Sequence, residues 1–231
     1  MKSMVALVAA MTAVVAAGVG AASALALPDL AVSLGGSYPL RMITILKERT
    51  MQISNPVELL KGEGLTLEYT FNGLGSTGRF EFTLKKFENA VGKKSCKTEG
   101  DAAGEVLMKG TVDLVLVKLP AEGELALGAL YLLEALTIEC GELKIKVKGS
   151  FIGDGNEAGS LENVQYIGLN IPLLGNGAGK PAWTKYYNAA GEEKHAKLET
   201  NFGTGFKESA FEAGEVAATA EGGAMYVFTG T

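Results

Sequence analysis

The run Leu65-Thr66-Leu67-Glu68-Tyr69-Thr70-Phe71, followed by Arg79-Phe80-Glu81-Phe82-Thr83-Leu84-Lys85, decides the fold class. In both runs apolar residues take every second position and polar residues lie between them. That period of two predicts strands with one buried and one wet face, whereas a helix would repeat its apolar residues every three or four positions. The connecting segment, Asn72-Gly73-Leu74-Gly75-Ser76-Thr77-Gly78, is rich in turn formers, so the two strands are expected as a hairpin.

Working outward, the same period recurs. Glu105 to Leu119 places Val112, Leu114 and Leu116 on one face and Val115, Val117 and Leu119 on the other, which predicts a central strand bent near Gly110. Leu125 to Cys140 is strongly apolar but interrupted by Glu134. Here helix and strand compete, and the reading is a strand, with a turn of helix before it as the alternative. After Gly141, Leu143, Ile145 and Val147 alternate with Lys144, Lys146 and Lys148. This predicts a hairpin about Gly141, with Glu139 opposite one of the lysines. The three lysines read as a solvated strand face that also guards against edge pairing.

Further strands are expected over Arg41–Ile45, Thr50–Ser54, Asn163–Ile171, Trp183–Asn188, Lys194–Phe202, Phe206–Glu212, Glu215–Ala220 and Ala224–Thr229. Ala189-Ala190-Gly191-Glu192 is the expected hairpin connection between two of them. The fold class is therefore all-β: an antiparallel β-barrel or a two-sheet β-sandwich of about ten strands. With neither a fixed-period repeat nor a long linker, residues 27–231 read as a single domain.

The first 26 residues read differently. Lys2 carries the one early charge, Met4 to Gly20 is uncharged and apolar, and Ala24-Leu25-Ala26 fits a small-x-small cleavage site. Residues 1–26 are thus expected to be a signal peptide; retention as a membrane anchor is the alternative. Without Lys2, 20 basic residues stand against 26 acidic ones, a balance of −6. Such a modest acidic charge gives no footprint for nucleic acid or anionic lipid. The 31 glycines, spread between apolar runs, read as turns and bulges.

An exported chain with an even cysteine count points to a disulfide, here Cys96 with Cys140. Metal, cofactor and catalytic motifs are weak. His195, the one histidine, lies in Glu192-Glu193-Lys194-His195 and reads as solvated, and no Gly-x-Ser-x-Gly elbow accompanies it. Gly175-Asn176-Gly177-Ala178-Gly179-Lys180 lacks the phosphate-loop pattern, because Leu174 and Pro181 occupy its outer positions. Asp154-Gly155-Asn156-Glu157-Ala158-Gly159 begins like a calcium loop, but Ala158 and Gln165 break the ligand series. Trp183 is the one tryptophan, too little aromatic lining to support a glycosidase. No cofactor and no catalytic residue is expected. Tyr69, Phe71, Phe80 and Phe82 are candidates to line an apolar cavity, with a filled core as their ordinary role.

Three blocks, Cys96-Lys-Thr-Glu-Gly-Asp101, Thr137-Ile-Glu-Cys-Gly141 with Leu143-Lys-Ile-Lys-Val-Lys-Gly149, and Asn201-Phe-Gly-Thr-Gly-Phe-Lys-Glu-Ser209, resemble a group of uncharacterised secreted bacterial proteins. The resemblance spans about Leu65 to Ser209. It implies secretion and a domain built around the two cysteines, and it carries no functional residue across. The function expected from the sequence is that of a secreted, non-catalytic β protein, structural or surface-interacting. The alternatives are a lipocalin-like carrier of a small apolar ligand and a carboxylate- or calcium-dependent extracellular enzyme. The partners expected are a small apolar ligand or a cell-surface component, with no nucleic acid and no membrane-spanning mature domain.

Overall fold

The computed structural model describes residues 28–32, 40–54, 58–72, 77–118, 126–157, 169–170, 184–188, 190–213, 219–220 and 225–229. Among these residues every regular element is a strand. In chain order they are β1 (Pro28–Val32), β2 (Leu40–Ser54), β3 (Leu59–Phe71), β4 (Thr77–Leu84), β5 (Glu88–Asn89), β6 (Lys94–Thr98), β7 (Val106–Lys118) and β8 (Ala126–Cys140). Then follow β9 (Leu143–Glu157), β10 (Leu169–Asn170), β11 (Lys185–Tyr187), β12 (Glu193–His195), β13 (Leu198–Asn201), β14 (Lys207–Ala213), β15 (Thr219–Ala220) and β16 (Met225–Thr229). The all-β, antiparallel expectation holds. The strand number exceeds the ten or so expected, because a 14-stranded sheet includes several pieces of two or three residues and a separate 2-stranded sheet joins β1 to β16.

The founding hairpin forms in the register its alternation requires. Leu65 faces Leu84, Leu67 faces Phe82 and Tyr69 faces Phe80, so the apolar sides of β3 and β4 coincide. All six side chains are at most 1% exposed. A one-residue slip would turn every one of them to water, which is why the pattern fixes the register.

Pairing then proceeds from β4 to β7, β8, β9, β13 and β14. β14 in turn pairs with β2 through Phe211 opposite Ile53, and β2 pairs back with β3. The sheet thus closes partly into a ring. Its inner face carries one apolar cluster drawn from all eight strands of that path. β7 is central, as its two apolar faces demand: Val112 and Leu114 join the inner cluster, while Val115 and Val117 join an outer cluster with Leu130, Ile152 and Ala196. Gly110 is where β7 meets β8, packed closely against Phe80. A methyl group there would lie 2.0 Å from the Leu132 carbonyl oxygen and 2.8 Å from the Phe80 ring, so only glycine lets β8 come this close.

β8 explains its own ambiguous sequence. Ala129, Tyr131 and Leu133 point inward, and so do Ile138 and Cys140, with Leu136 packed against the same cluster. The inward set changes from odd to even numbers because β8 carries an extra residue relative to β9: Leu133 pairs with Gly149, but Leu136 pairs with Val147. This β-bulge at Glu134 and Ala135 breaks the alternation and mimics a helical period. No turn of helix occurs within Ala126–Cys140.

The Cys140–Leu143 hairpin turns on Gly141 at φ 66°, a left-handed conformation that glycine adopts without strain. Glu139 meets Lys144 at 3.0 Å across it. Lys144, Lys146 and Lys148 are exposed, but β9 lies between β8 and β13. The lysines therefore face water without guarding an edge. Two further expectations are revised. Arg41–Ile45 and Thr50–Ser54 belong to the single strand β2, bulged between Leu46 and Thr50. Lys194–Phe202 is broken at Ala196 and Lys197 into β12 and β13. Residues 1–27, Trp183 and the Gly175–Lys180 segment lie outside the described residues.

Candidate functional site

Inside the ring the aromatic side chains meet one another. Phe82 lies with its ring centroid 4.6 Å from Phe80, 5.2 Å from Tyr131, 5.8 Å from Tyr69 and 6.3 Å from Phe211. Tyr131 stacks on Phe151 at 4.8 Å and meets Phe80 edge-on at 5.1 Å. These separations are those of rings in contact. Of the four candidate cavity residues, Tyr69, Phe80 and Phe82 belong to this cluster. Phe71, 3% exposed, packs over Gly78, where a methyl group would lie 2.6 Å from its ring.

One polar contact sits in this apolar interior. The Tyr69 and Tyr131 hydroxyls are 2.8 Å apart, one donating and the other accepting, and both side chains are at most 1% exposed. Burial pushes the Tyr69 phenol well above the ordinary tyrosine range, and the neighbouring Tyr131 adds to the shift. Burial likewise raises Tyr131, against the smaller opposing effect of its hydrogen bond with Tyr69. The pair is neutral throughout the physiological range.

Two outcomes follow from that geometry. Replacing either tyrosine alone by phenylalanine strands a buried hydroxyl and is expected to cost about 1–3 kcal/mol, whereas the double change, Tyr69→Phe with Tyr131→Phe, removes both partners and is expected to cost less than the singles combined. Urea unfolding of the three variants measures the coupling, and additive costs would deny that the hydroxyls act as a pair.

The second outcome concerns alkali. Below about pH 10 both phenols are protonated in the folded and the unfolded chain, so their contribution is complete. Above it the unfolded chain loses phenolic protons that the folded pair keeps, and stability falls as pH rises by up to about 1.4 kcal/mol per pH unit for each tyrosine. Denaturation midpoints followed from about pH 9 to 11 should drop more steeply for the native chain than for the double phenylalanine variant.

The disulfide is present as expected. Cys96 and Cys140 face each other directly across β6 and β8 with Cα atoms 4.1 Å apart, and both are buried, at 0% and 3% exposure. Beside it the wall of the ring forks. The β7–β8 ladder ends at Gly110 opposite Leu133, and the β6–β8 ladder begins at Thr98 opposite Ile138. Between these points lies a cleft of about 460 Å³, lined by Thr98, Asp101 and Lys109 on one side and Glu134, Leu136 and Thr137 on the other. The β8 bulge creates it by turning that strand away from β7. Three of its charged groups are engaged, Asp101 with Thr98, Lys109 with Glu81 and Glu134 with Arg79, and Glu99 also lines it.

The chemistry considered from the sequence is dispersed. His195 stands exposed on β12, 3.3 Å from Glu193. Asp154 to Glu157 continue strand β9, with Asp154 opposite both Gly128 and Asn170. Among the described residues no group of three or more His, Cys, Asp or Glu side chains is gathered to hold a metal.

The chain matches no protein-family model, no curated protein and no solved structure.

Three central rings, Tyr131, Phe151 and Phe211, were not singled out in the sequence. Tyr131 sits inside the ambiguous Leu125–Cys140 run, where the bulge masks its inward phase. Phe151 follows the strict Leu143–Val147 alternation by two steps beyond Gly149, and that continuation of the odd-numbered series was the available signal.

Proposed function

We propose that this chain is an exported, non-catalytic β-barrel protein that acts by presenting a rigid, water-facing outer surface to another extracytoplasmic component. The observation that carries this reading is the contact between Phe82 and four other rings in the middle of the strand path. A closed eight-stranded barrel has an interior just wide enough for side chains to fill it. Here the path β2–β3–β4–β7–β8–β9–β13–β14 returns to β2, and its inner side is occupied by the chain's own aromatic residues. Recognition then falls to the exterior.

Away from the outer cluster on β7, β8 and β9, much of the described exterior carries paired charges. Arg79 pairs with Glu134, Lys109 with Glu81, Lys144 with Glu139 and Lys148 with Glu199. A membrane-spanning barrel presents an apolar band outward, so this cross-strand charge ladder supports a barrel surrounded by water. The disulfide is consistent with an extracytoplasmic location.

Native mass spectrometry of the protein recovered from an exported fraction tests the reading. The expected species is the ligand-free chain with one disulfide. A small apolar molecule retained at one per chain would overturn it in favour of the lipocalin-like carrier. Barrel closure has its own test in backbone nuclear Overhauser contacts between residues 210–213 and 51–54, which a two-sheet sandwich open at this seam would lack.

A further inference from the structure

The strand ring is complete without β5 and β6. The path through β4 and β7 joins β3 to β8, while β5 and β6 form a second bridge between those same two strands. This bridge is held by short ladders. β5 meets β3 at Leu60 and Lys61, β6 meets β5 at Glu88 and Asn89, and β6 meets β8 from Cys96 to Thr98. On its other flank a cleft lies at the β8 bulge, and β6 is tied to the start of β7 there through Thr98, whose N–H donates to the Glu105 carbonyl at 3.2 Å and whose Oγ1 accepts from the Leu107 N–H at 2.9 Å.

We propose that Cys96–Cys140 is a redox-sensitive clasp, whose reduction releases the β5–β6 bridge and widens the adjoining cleft while the main ring of strands stands. The asymmetry of the topology carries this. The disulfide ties the bridge to β8 at one of its few paired positions, but it joins no two strands of the eight-membered path to each other. Beneath the bridge lie Phe87, Leu60 and Ile138, each fully buried, so its release uncovers apolar surface at that end of the core.

The reductant required is a dithiol. One of its thiolates attacks a cysteine sulfur, the Sγ–Sγ bond breaks, and a mixed disulfide forms. The second thiol of the reductant then displaces the remaining cysteine. Two electrons pass from the dithiol, which leaves as its own disulfide, and Cys96 and Cys140 each end as a protonated thiol. Both cysteines are buried, so the dithiol reaches the bond during brief fraying of the three-residue β6–β8 ladder, which closes again while the bond is intact and stays open once it is reduced.

Hydrogen exchange with mass spectrometry on the full chain decides the matter, comparing the oxidised protein with protein reduced by dithiothreitol. The Cys96→Ala, Cys140→Ala double variant is measured alongside, so that a disulfide too sheltered to reduce does not end the experiment. In the oxidised protein, peptides covering 88–104 are expected to exchange with those of β4 and β9. Without the disulfide they should exchange about ten-fold or more ahead of β4 and β9. If bridge and ring lose protection together, or if the double variant does not fold, the bond is a staple of the whole fold and the clasp is refuted. Retention of ring-level protection by the bridge in the double variant refutes it equally.

Discussion

Phe82→Ala is expected to lower the unfolding free energy by about 3–5 kcal/mol, the range for emptying a buried aromatic site. Phe82 is 0% exposed and touches rings from four other strand positions, Tyr69, Phe80, Tyr131 and Phe211. These neighbours belong to β3, β4, β8 and β14, elements pinned by ladders on both sides, so they cannot collapse into the vacated space. The loss therefore includes a cavity contribution as well as the transfer of the ring to water. Urea unfolding monitored by tyrosine fluorescence measures it. A cost below about 1 kcal/mol would mean that the middle of the ring is loosely filled, and the reading of a surface-acting barrel would lose its main support.

The second large effect is loss of the disulfide. The sequence separation of 44 residues between Cys96 and Cys140 sets the size of the closed loop. In the chain-entropy model a loop of that length restrains the unfolded chain by about 4 kcal/mol. The Cys96→Ala, Cys140→Ala variant is expected to unfold at a correspondingly lower urea concentration with its cooperativity retained. An unchanged midpoint would show that the unfolded chain already holds these segments together. This global cost and the local release of the β5–β6 bridge are separate quantities. The first is read at the unfolding transition, the second from exchange under native conditions.

The exposed ion pairs are expected to matter much less. Arg79–Glu134 and Lys144–Glu139 have side chains 33–70% exposed, and pairs in that setting contribute little. Their role is to keep the outer face wetted and to fill cross-strand positions with opposite charges.

How much of this was legible beforehand differs from strand to strand. The Leu65–Phe71 and Phe80–Leu84 hairpin was readable in its strands and faces, because each strand has one dry and one wet face and the alternation excludes a one-residue slip. β7 was readable for the opposite reason: apolar residues on both sides require cover on both sides, and the second cluster, with Ala196 and Tyr186 packed into it, supplies it. The cysteine pairing followed from an even count together with the expectation of an oxidising compartment. By contrast β5 and β6 left almost no trace. In Lys94-Ser95-Cys96-Lys97-Thr98 the inward positions are held by Cys96 and Thr98 rather than by large apolar residues, so the alternation is too faint to notice.

The tyrosine pair shows the same boundary from another side. Tyr69 could be placed inward from its own strand, but Tyr131 lies 62 residues away, beyond a bulge whose existence no local pattern declares. The sequence by itself determined strand and face wherever the alternation is clean, because side-chain period is a property of consecutive residues. Which strands meet around the ring, where β8 gains its extra residue, and how two hydroxyls come within 2.8 Å in a dry interior were decided only by the tertiary structure. Those outcomes depend on contacts between distant segments, and such contacts are selected by the packing of the whole core rather than by any stretch of chain alone.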